Sequence, residues 1–337
     1  MPLDVKAGRN VRDRNMKRST RSAGALTERT SGNVGSGNRR VVLSVARMTV
    51  HNGPGIRTLI LFKGCPLRCR WCSTPESQKA EPEIAVYPDR CIRCDRCVKA
   101  CSTKAVQLAD DTLRIDRLLC HMCGICWETC HSEAVMLLGK AMTVEELVEE
   151  AKKDRVFYKH SQGGVTISGG EPLLQPAFTL DLLRTLAEED ISVGIDTCGH
   201  VPRANIEPLL PFADFFLWDL KHLDPLRHKE LTGATNELIL RNLRFVSDAH
   251  VPLYIRLPVI PGLNDSEQNI RAVCEFVRTL SSVIEVDLLP LHHLGRARYE
   301  SLNLPYPLAE VPLLQKEALQ SVKSLVESYG LRTIVVE

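Results

Sequence analysis

The chain has 337 residues, 44% of them hydrophobic and 25% charged, with a net charge of +2 and a mean hydropathy of −0.09. That is enough to bury a sizeable core in one barrel-sized unit or in two smaller domains. No apolar run approaches the roughly 18–20 residues of a membrane span and the start lacks a secretory apolar stretch, so neither a membrane nor a nucleic acid is expected as a partner.

The charge is spread unevenly. Residues 1–40 carry ten Lys/Arg against three Asp/Glu, which leaves the remainder net acidic. With Ser19, Thr20, Ser22, Thr30 and Ser31 among them, these residues read as a disordered basic tail. Two other readings are an organellar transit peptide and a start codon mis-assigned upstream of Met16 or Met48.

Eleven of the thirteen cysteines fall in three short runs, leaving Cys198 and Cys274 for buried packing. Disulfides do not group in this way, which points to a reducing, anoxic cytoplasm. The first run, within residues 41–79, is Gly64-Cys-Pro-Leu-Arg-Cys-Arg-Trp-Cys-Ser73. Thiolates are the ligands of iron–sulfur clusters, and three of them, Cys65, Cys69 and Cys72, leave one iron of a [4Fe–4S] cube open to a reactant.

The C-x3-C-x-aromatic-C spacing, with Trp71 as the aromatic residue, resembles the radical S-adenosylmethionine (SAM) enzymes. The runs Gly53-Pro-Gly-Ile-Arg57, Phe62-Lys-Gly-Cys65 and Trp71-Cys-Ser-Thr-Pro-Glu76 narrow the resemblance to activating enzymes of glycyl radical enzymes, over roughly residues 42–337. The Gly53-Pro54-Gly55 turn is implied to receive a partner's glycine loop. Asn52 stands where relatives usually carry Asp, and Thr74 where they carry Asn. Arg57, Lys63, Arg68 and Arg70 are candidates to dock an acidic partner; a solvated face is the alternative.

Residues 80–139 hold the other two runs, Cys91, Cys94, Cys97, Cys101 and Cys120, Cys123, Cys126, Cys130. Each is C-x2-C-x2-C-x3-C, the spacing of two-cluster ferredoxins, in which the fourth cysteine of each run serves the other cluster. The expected ligand sets are Cys91, Cys94, Cys97, Cys130 and Cys120, Cys123, Cys126, Cys101. Zinc, the other four-thiolate metal, normally separates two CxxC pairs by a longer loop. The segment reads as an electron-transfer insert that splits the first strand–helix unit from the rest.

Over residues 140–300 apolar runs alternate with helical patterns. Strands are predicted at Ile56–Phe62, Val165–Ser168, Ser192–Asp196, Phe215–Asp219, Leu253–Leu257 and Ile284–Leu289. Helices are predicted at Thr143–Asp154, Ala177–Glu189, Asn236–Ala249 and Ile270–Leu280, the first opened by a Thr143/Glu146 capping box. Residues 301–337 add a helix near Val311–Tyr329 and a strand near Thr333–Val336. Repeating β–α units predict an α/β fold, a partial (β/α)6 barrel carrying a ferredoxin-like insert.

Polar residues recur at the C-terminal strand ends, where barrel enzymes carry their chemistry. The resemblance implies a SAM pocket of Trp71, Cys72, Ser73, Gly169, Gly170, Glu171, Asp196, Asp219, Leu220, Lys221, Arg256 and His292. In it the glycines let backbone approach an amino group, Asp219 accepts from ribose hydroxyls, Lys221 pairs with the methionyl carboxylate and His292 meets adenine, while His293 faces solvent. A Lys–Asp surface pair is the bland alternative for Lys221 and Asp219. Asp196, Thr197 and Asp219 resemble a monovalent-cation site, or are strand-end caps.

The resemblance also implies three [4Fe–4S] clusters, SAM and its reductive cleavage to a 5′-deoxyadenosyl radical. That radical takes hydrogen from a glycine of a partner glycyl radical enzyme, with flavodoxin or ferredoxin as electron donor. Another radical SAM reaction and a plain iron–sulfur electron carrier are the rival readings.

Overall fold

The computed structural model describes residues 39–109 and 112–336. The tail expected over residues 1–40 thus lies outside the described residues as far as position 38, and Arg40 already opens a strand. In chain order the strands are β1 (Arg40–Thr49), β2 (Arg57–Phe62), β3 (Glu83–Val86), β4 (Val106–Ala109), β5 (Thr112–Ile115), β6 (Val135–Leu138) and β7 (Lys140–Met142). They continue as β8 (Gly164–Gly169), β9 (Ser192–Thr197), β10 (Phe215–Asp219), β11 (Leu253–Val259), β12 (Val283–Pro290) and β13 (Thr333–Val335).

The main sheet runs β13-β12-β11-β10-β9-β8-β2-β1-β7 and is open. From β2 through β13 every neighbouring pair is parallel, whereas β1 is antiparallel to both β2 and β7. Central parallel strands are covered on both faces and read as unbroken apolar runs. Val165, Ile167, Ile195, Phe216, Ile255 and Leu257 are buried accordingly. All six predicted barrel strands lie here, in chain order across the sheet.

Helices Val144–Lys152, Pro176–Glu188, Glu237–Asp248, Glu267–Val277 and Lys316–Ser328 fall within a few residues of their predicted places. Glu146 N donates to Thr143 Oγ1 at 3.2 Å and Thr143 N donates to Glu146 Oε2 at 2.8 Å, so both halves of the capping box form. Five short helices, Arg96–Ala100, Ile125–Glu128, Arg155–Ser161, Pro225–Thr232 and Arg296–Ser301, were not predicted.

The lumen is closed at the start of β2 by a buried cation. Arg57 is fully buried, donates through Nε to Thr166 Oγ1 at 2.7 Å and through NH2 to the Val165 and Ser192 carbonyls, and lies over the Phe215 ring. A second donor reaches the Pro54 carbonyl at 3.2 Å, so one side chain ties β2, β8 and β9 to the 53–55 turn. Burial lowers its pKa to about 10.

The cysteine-rich insert pairs β3 with β6 and β4 with β5, both antiparallel, around helices Arg96–Ala100 and Ile125–Glu128. Its two halves repeat one backbone: Arg93, Asp95 and Lys104 have left-handed φ, as do their counterparts Met122, Gly124 and Glu133. It leaves the barrel after β2 and returns at β7, which pairs with β1. The helix of the first strand–helix unit comes after the insert, so the insert interrupts that unit instead of separating it from the next.

Replacing Thr143 by Ala should cost about 1 kcal/mol, and replacing the buried Leu147 of the same helix by Ala about 2–5 kcal/mol. Urea unfolding of the metal-free protein followed by circular dichroism should give that order; equal losses would show that the capping box is not the feature that starts the helix.

Candidate active site

The three-cysteine loop leaves β2 at a buried lysine. Lys63 is fully buried, its Nζ donates to the Glu76 carbonyl and pairs with Glu83 at 3.2 Å. Gly64 N donates to Ser77 O at 2.7 Å and Cys65 N to Gln78 O at 3.0 Å, which zips the two ends of the loop together. The tip is tied down by Arg68 N on Thr232 O and Arg70 N on Leu231 O, at the end of helix Pro225–Thr232. Cys65, Cys69 and Cys72 are partly buried within this closed loop. Burial pushes the Cys69 thiol up to about 12 and raises Cys72, whereas a hydrogen bond with Cys198 lowers Cys65.

The loop rests on the strand end of β8. A Cβ on Gly169 would lie 2.3 Å from the Phe62 backbone, and one on Gly170 2.2 Å from Gly64 O, so both positions require glycine for packing against the chain itself. Glu171 N donates to Gly64 O at 2.7 Å. The Glu171 carboxylate is fully buried and accepts from Leu173 N, Thr197 Oγ1, Cys198 N and Cys198 Sγ. Glu171 is therefore a brace, and Cys198 joins it to Cys65. Burial raises the Glu171 carboxyl, against which those donors pull.

Further along the sheet, Asp196 accepts from Ser168 Oγ at 2.7 Å and pairs with Arg256 at 3.2 Å. Arg256 also donates to His51 O at 3.3 Å, linking the barrel interior to the turn that precedes β2. Lys221 is buried and pairs with Asp219 at 2.6 Å, which removes the surface-pair reading. Burial lowers the Lys221 pKa, but Asp219 and the Cys69 and Cys198 thiols outweigh it and the net shift is upward. Leu220 turns its side chain into the core. Thr197 departs from the cation-site expectation: it is buried, its hydroxyl donates to Glu171 and accepts from Gly199 N at 2.8 Å. Asp196 and Asp219 remain as the side-chain oxygens of that set.

A C-terminal segment covers the loop. Trp71 packs against the cluster of Ile260, Leu291 and Leu308, as does Tyr306, and Gly295 lies against the backbone at Cys72 and Ser73. Arg298 donates to Glu76 Oε1 at 2.5 Å, and Glu76 is buried with its other oxygen unpartnered. Tyr299 is buried beside this pair; burial, then the Cys72 and Cys69 thiols, raise its phenol. His292 is exposed. His293 is not solvent-facing as expected: its Nδ1 lies 3.0 Å from Tyr306 OH and its ring stacks edge-on upon Tyr306. The Glu76–Arg298 clasp was not foreseen, although Glu76 ends the Trp71–Glu76 motif, because its partner lies 222 residues away.

Two of the four proposed docking cations are excluded. Arg57 and Lys63 are fully buried and serve the barrel; Arg68 and Arg70 are exposed.

In the insert, one cavity is lined by Cys91, Cys94, Cys97 and Cys130, and another by Cys101, Cys120, Cys123 and Cys126. Among the described residues no three Cys, His, Asp or Glu side chains converge as closely as a single metal ion needs. Four soft thiols lining each cavity are the donor set that an iron–sulfur group would use. The Cys101 and Cys130 sulfurs lie 3.6 Å from Thr103 Oγ1 and 3.7 Å from Ser132 Oγ, an equivalent contact in each half. No helix among the described residues is long and apolar enough to cross a membrane.

Comparison with known proteins agrees with this geometry. The radical SAM superfamily profile matches residues 118–274, and the 4Fe-4S binding domain profile matches residues 84–107. The isethionate sulfite-lyase activating enzyme of Nitratidesulfovibrio vulgaris is 42% identical over 85% of this chain and 94% of its own. The choline trimethylamine-lyase activating enzyme of Oleidesulfovibrio alaskensis is 36% identical over 88% of this chain and 98% of its own. A radical SAM methyltransferase structure from Sphaerobacter thermophilus shares the fold, with a TM-score of 0.51, at 16% identity over 83% of this chain and 66% of that one.

Burial raises the Asp287 carboxyl on β12 to about 6, and one of its oxygens is unpartnered. The folded protein thus keeps a proton that the unfolded chain releases near pH 4, and stability falls as pH rises from about 4 to 6. Asp287→Asn should therefore stabilise by about 1–2 kcal/mol above pH 6 and leave stability unchanged below pH 4, as measured by denaturant midpoints across pH. Arg298→Ala should speed amide exchange over residues 296–308 by about fivefold, equivalent to about 1 kcal/mol for a clasp with one exposed partner. Unchanged exchange would remove the clasp from the account.

Proposed function

This chain belongs to the radical SAM activating enzymes of glycyl radical enzymes, and from that membership we propose how its residues divide the work of the reaction. It is an oxidoreductase that binds iron–sulfur and SAM and generates a radical on a glycine of a partner glycyl radical enzyme. A reduced [4Fe–4S] group on Cys65, Cys69 and Cys72 supplies the electron that splits SAM into methionine and the 5′-deoxyadenosyl radical, which removes the glycine hydrogen. The observation that carries this reading is a closed loop presenting three thiols, stitched through Gly64 to Glu171 and flanked by the pair of half-buried Asp219 with buried Lys221.

In this reading, the Gly169 and Gly170 carbonyls receive the amino group of SAM, Lys221 pairs with its carboxylate and Asp219 accepts from its ribose hydroxyls. Burial raises the Asp196 carboxyl and its pair with Arg256 pulls the other way; Asp196 and Asp219 form the oxygen pair for a monovalent cation. Trp71 and the segment over it exclude water, and exposed His292 meets the adenine. No side chain needs to give or take a proton. The insert holds two further [4Fe–4S] groups, one on Cys91, Cys94, Cys97 and Cys130 and one on Cys101, Cys120, Cys123 and Cys126. Such groups would supply a one-electron relay from flavodoxin or ferredoxin toward the barrel; the thiol-rich composition supports a reducing cytoplasm.

The test is anaerobic reconstitution with iron and sulfide, then SAM, dithionite and the partner enzyme. A glycyl radical signal in EPR and one 5′-deoxyadenosine per radical are expected. Loaded protein that yields neither overturns the assignment, and nucleoside without glycyl radical points to a different radical SAM reaction. Lys221→Ala should raise the KM for SAM by about tenfold or more, since a charge-assisted pair to carboxylate is worth about 1.5–3 kcal/mol.

A further inference from the structure

The two halves of the insert share a backbone but not a surface. Left-handed residues recur at matched positions, and each half contributes three cysteines to its own cavity and the fourth to the other. Around those cavities the side chains differ position by position. Arg90, Arg93, Arg96 and Lys99 of the first half correspond to Leu119, Met122, Ile125 and Glu128 of the second, and all eight are exposed. Cys94 and Cys123, one in each cavity, are both exposed as well. The first cavity, lined by Arg93, Asp95 and the exposed Ile92, therefore belongs to a half that carries four exposed cations, with Asp89 and Glu133 as further acids near it in the chain. The second, lined by His121, Met122 and Ile125, belongs to a half whose exposed residues are mostly apolar, Leu118, Leu119 and Trp127 among them, with Glu128 as the charged exception. A common backbone gives no folding reason for that difference, so it reflects what meets each surface.

Position separates the two ends further. Ile84 of β3 lines the second cavity, and its neighbour Glu83 makes the 3.2 Å pair with Lys63 at the end of β2. β3 also packs on helix Arg296–Ser301, which clasps the three-cysteine loop. The first cavity is lined instead by Leu108 and Leu113 of the β4–β5 hairpin.

Resting on the reading that both cavities hold iron–sulfur groups, we propose that the cationic face at Cys94 is the docking surface for an acidic one-electron carrier protein. Electrons arrive at the Cys91, Cys94, Cys97, Cys130 group and leave toward the barrel through the Cys101, Cys120, Cys123, Cys126 group. The carrier loses one electron and the first group gains it; no bond forms or breaks and no proton moves.

The test uses the full chain loaded with iron and sulfide, with fully reduced acidic flavodoxin as the probe and stopped-flow bleaching of the cluster absorbance as the readout. Arg93→Glu with Arg96→Glu should slow flavodoxin-driven bleaching about tenfold or more at low salt and flatten its fall with added salt, leaving bleaching by dithionite unchanged. Met122→Glu with Ile125→Glu, the mirror change, should stay within about twofold of the parent rate. Equal rates for the parent and the Arg93/Arg96 variant, or an equal or greater loss in the mirror variant, overturns the proposal. Iron content checks loading; should the double reversal load poorly, the single changes Arg96→Gln and Lys99→Gln must each weaken binding of oxidised flavodoxin in calorimetry. That binding reports docking without electron transfer. Flavodoxin that binds as expected yet bleaches no insert absorbance would defeat the iron–sulfur reading while leaving the surface in place.

Discussion

Glu171 is completely buried, and five hydrogen bonds meet at it: four donors reach its carboxylate and its own amide reaches Gly64. A buried carboxylate without such donors would be costly, so its presence commits three separate elements to one arrangement. Through Gly64 it sets the start of the three-cysteine loop. Through Thr197 and Cys198 it sets the end of β9, and through Leu173 the turn after β8. The thiols and the Asp219–Lys221 pair are held in register because this hub cannot be left half satisfied.

Much of this was legible in the chain. Parallel strands buried on both faces leave unbroken apolar runs, so β8 through β12 could be read almost to the residue. β7, at the sheet edge, and β1, beside it, escaped because they are half exposed and carry mixed residues such as Arg40, Ser44 and Arg47, which break the pattern. Metal-ligand spacing was legible for a different reason: it is local, and each run closes on itself within a dozen residues.

Burial of charge was not legible. Arg57 and Lys63 look like surface cations, yet one caps the lumen and the other anchors the loop, and only the fold brings Thr166, Phe215 or Glu83 to them. Neighbouring backbone fills the space a side chain would take at the glycines after β8, and Glu171 already engages the hydroxyl of Thr197, which looks ligand-facing in the sequence. His293 misleads for the same reason: Tyr306, its partner, lies in a loop that carries no pattern of its own. Contacts between segments distant in the chain are invisible to local periodicity, and the lid over the loop is built wholly of them.

The clasp between Glu76 and Arg298 sets an order of events during synthesis. Its two ends are 222 residues apart, so at bacterial elongation rates the ribosome needs roughly 10–45 s to make the second after the first. Throughout that interval the nascent cysteine loop has no roof. The loop is therefore laid out first, and the carboxyl-terminal segment closes over it only when Arg298 reaches Glu76.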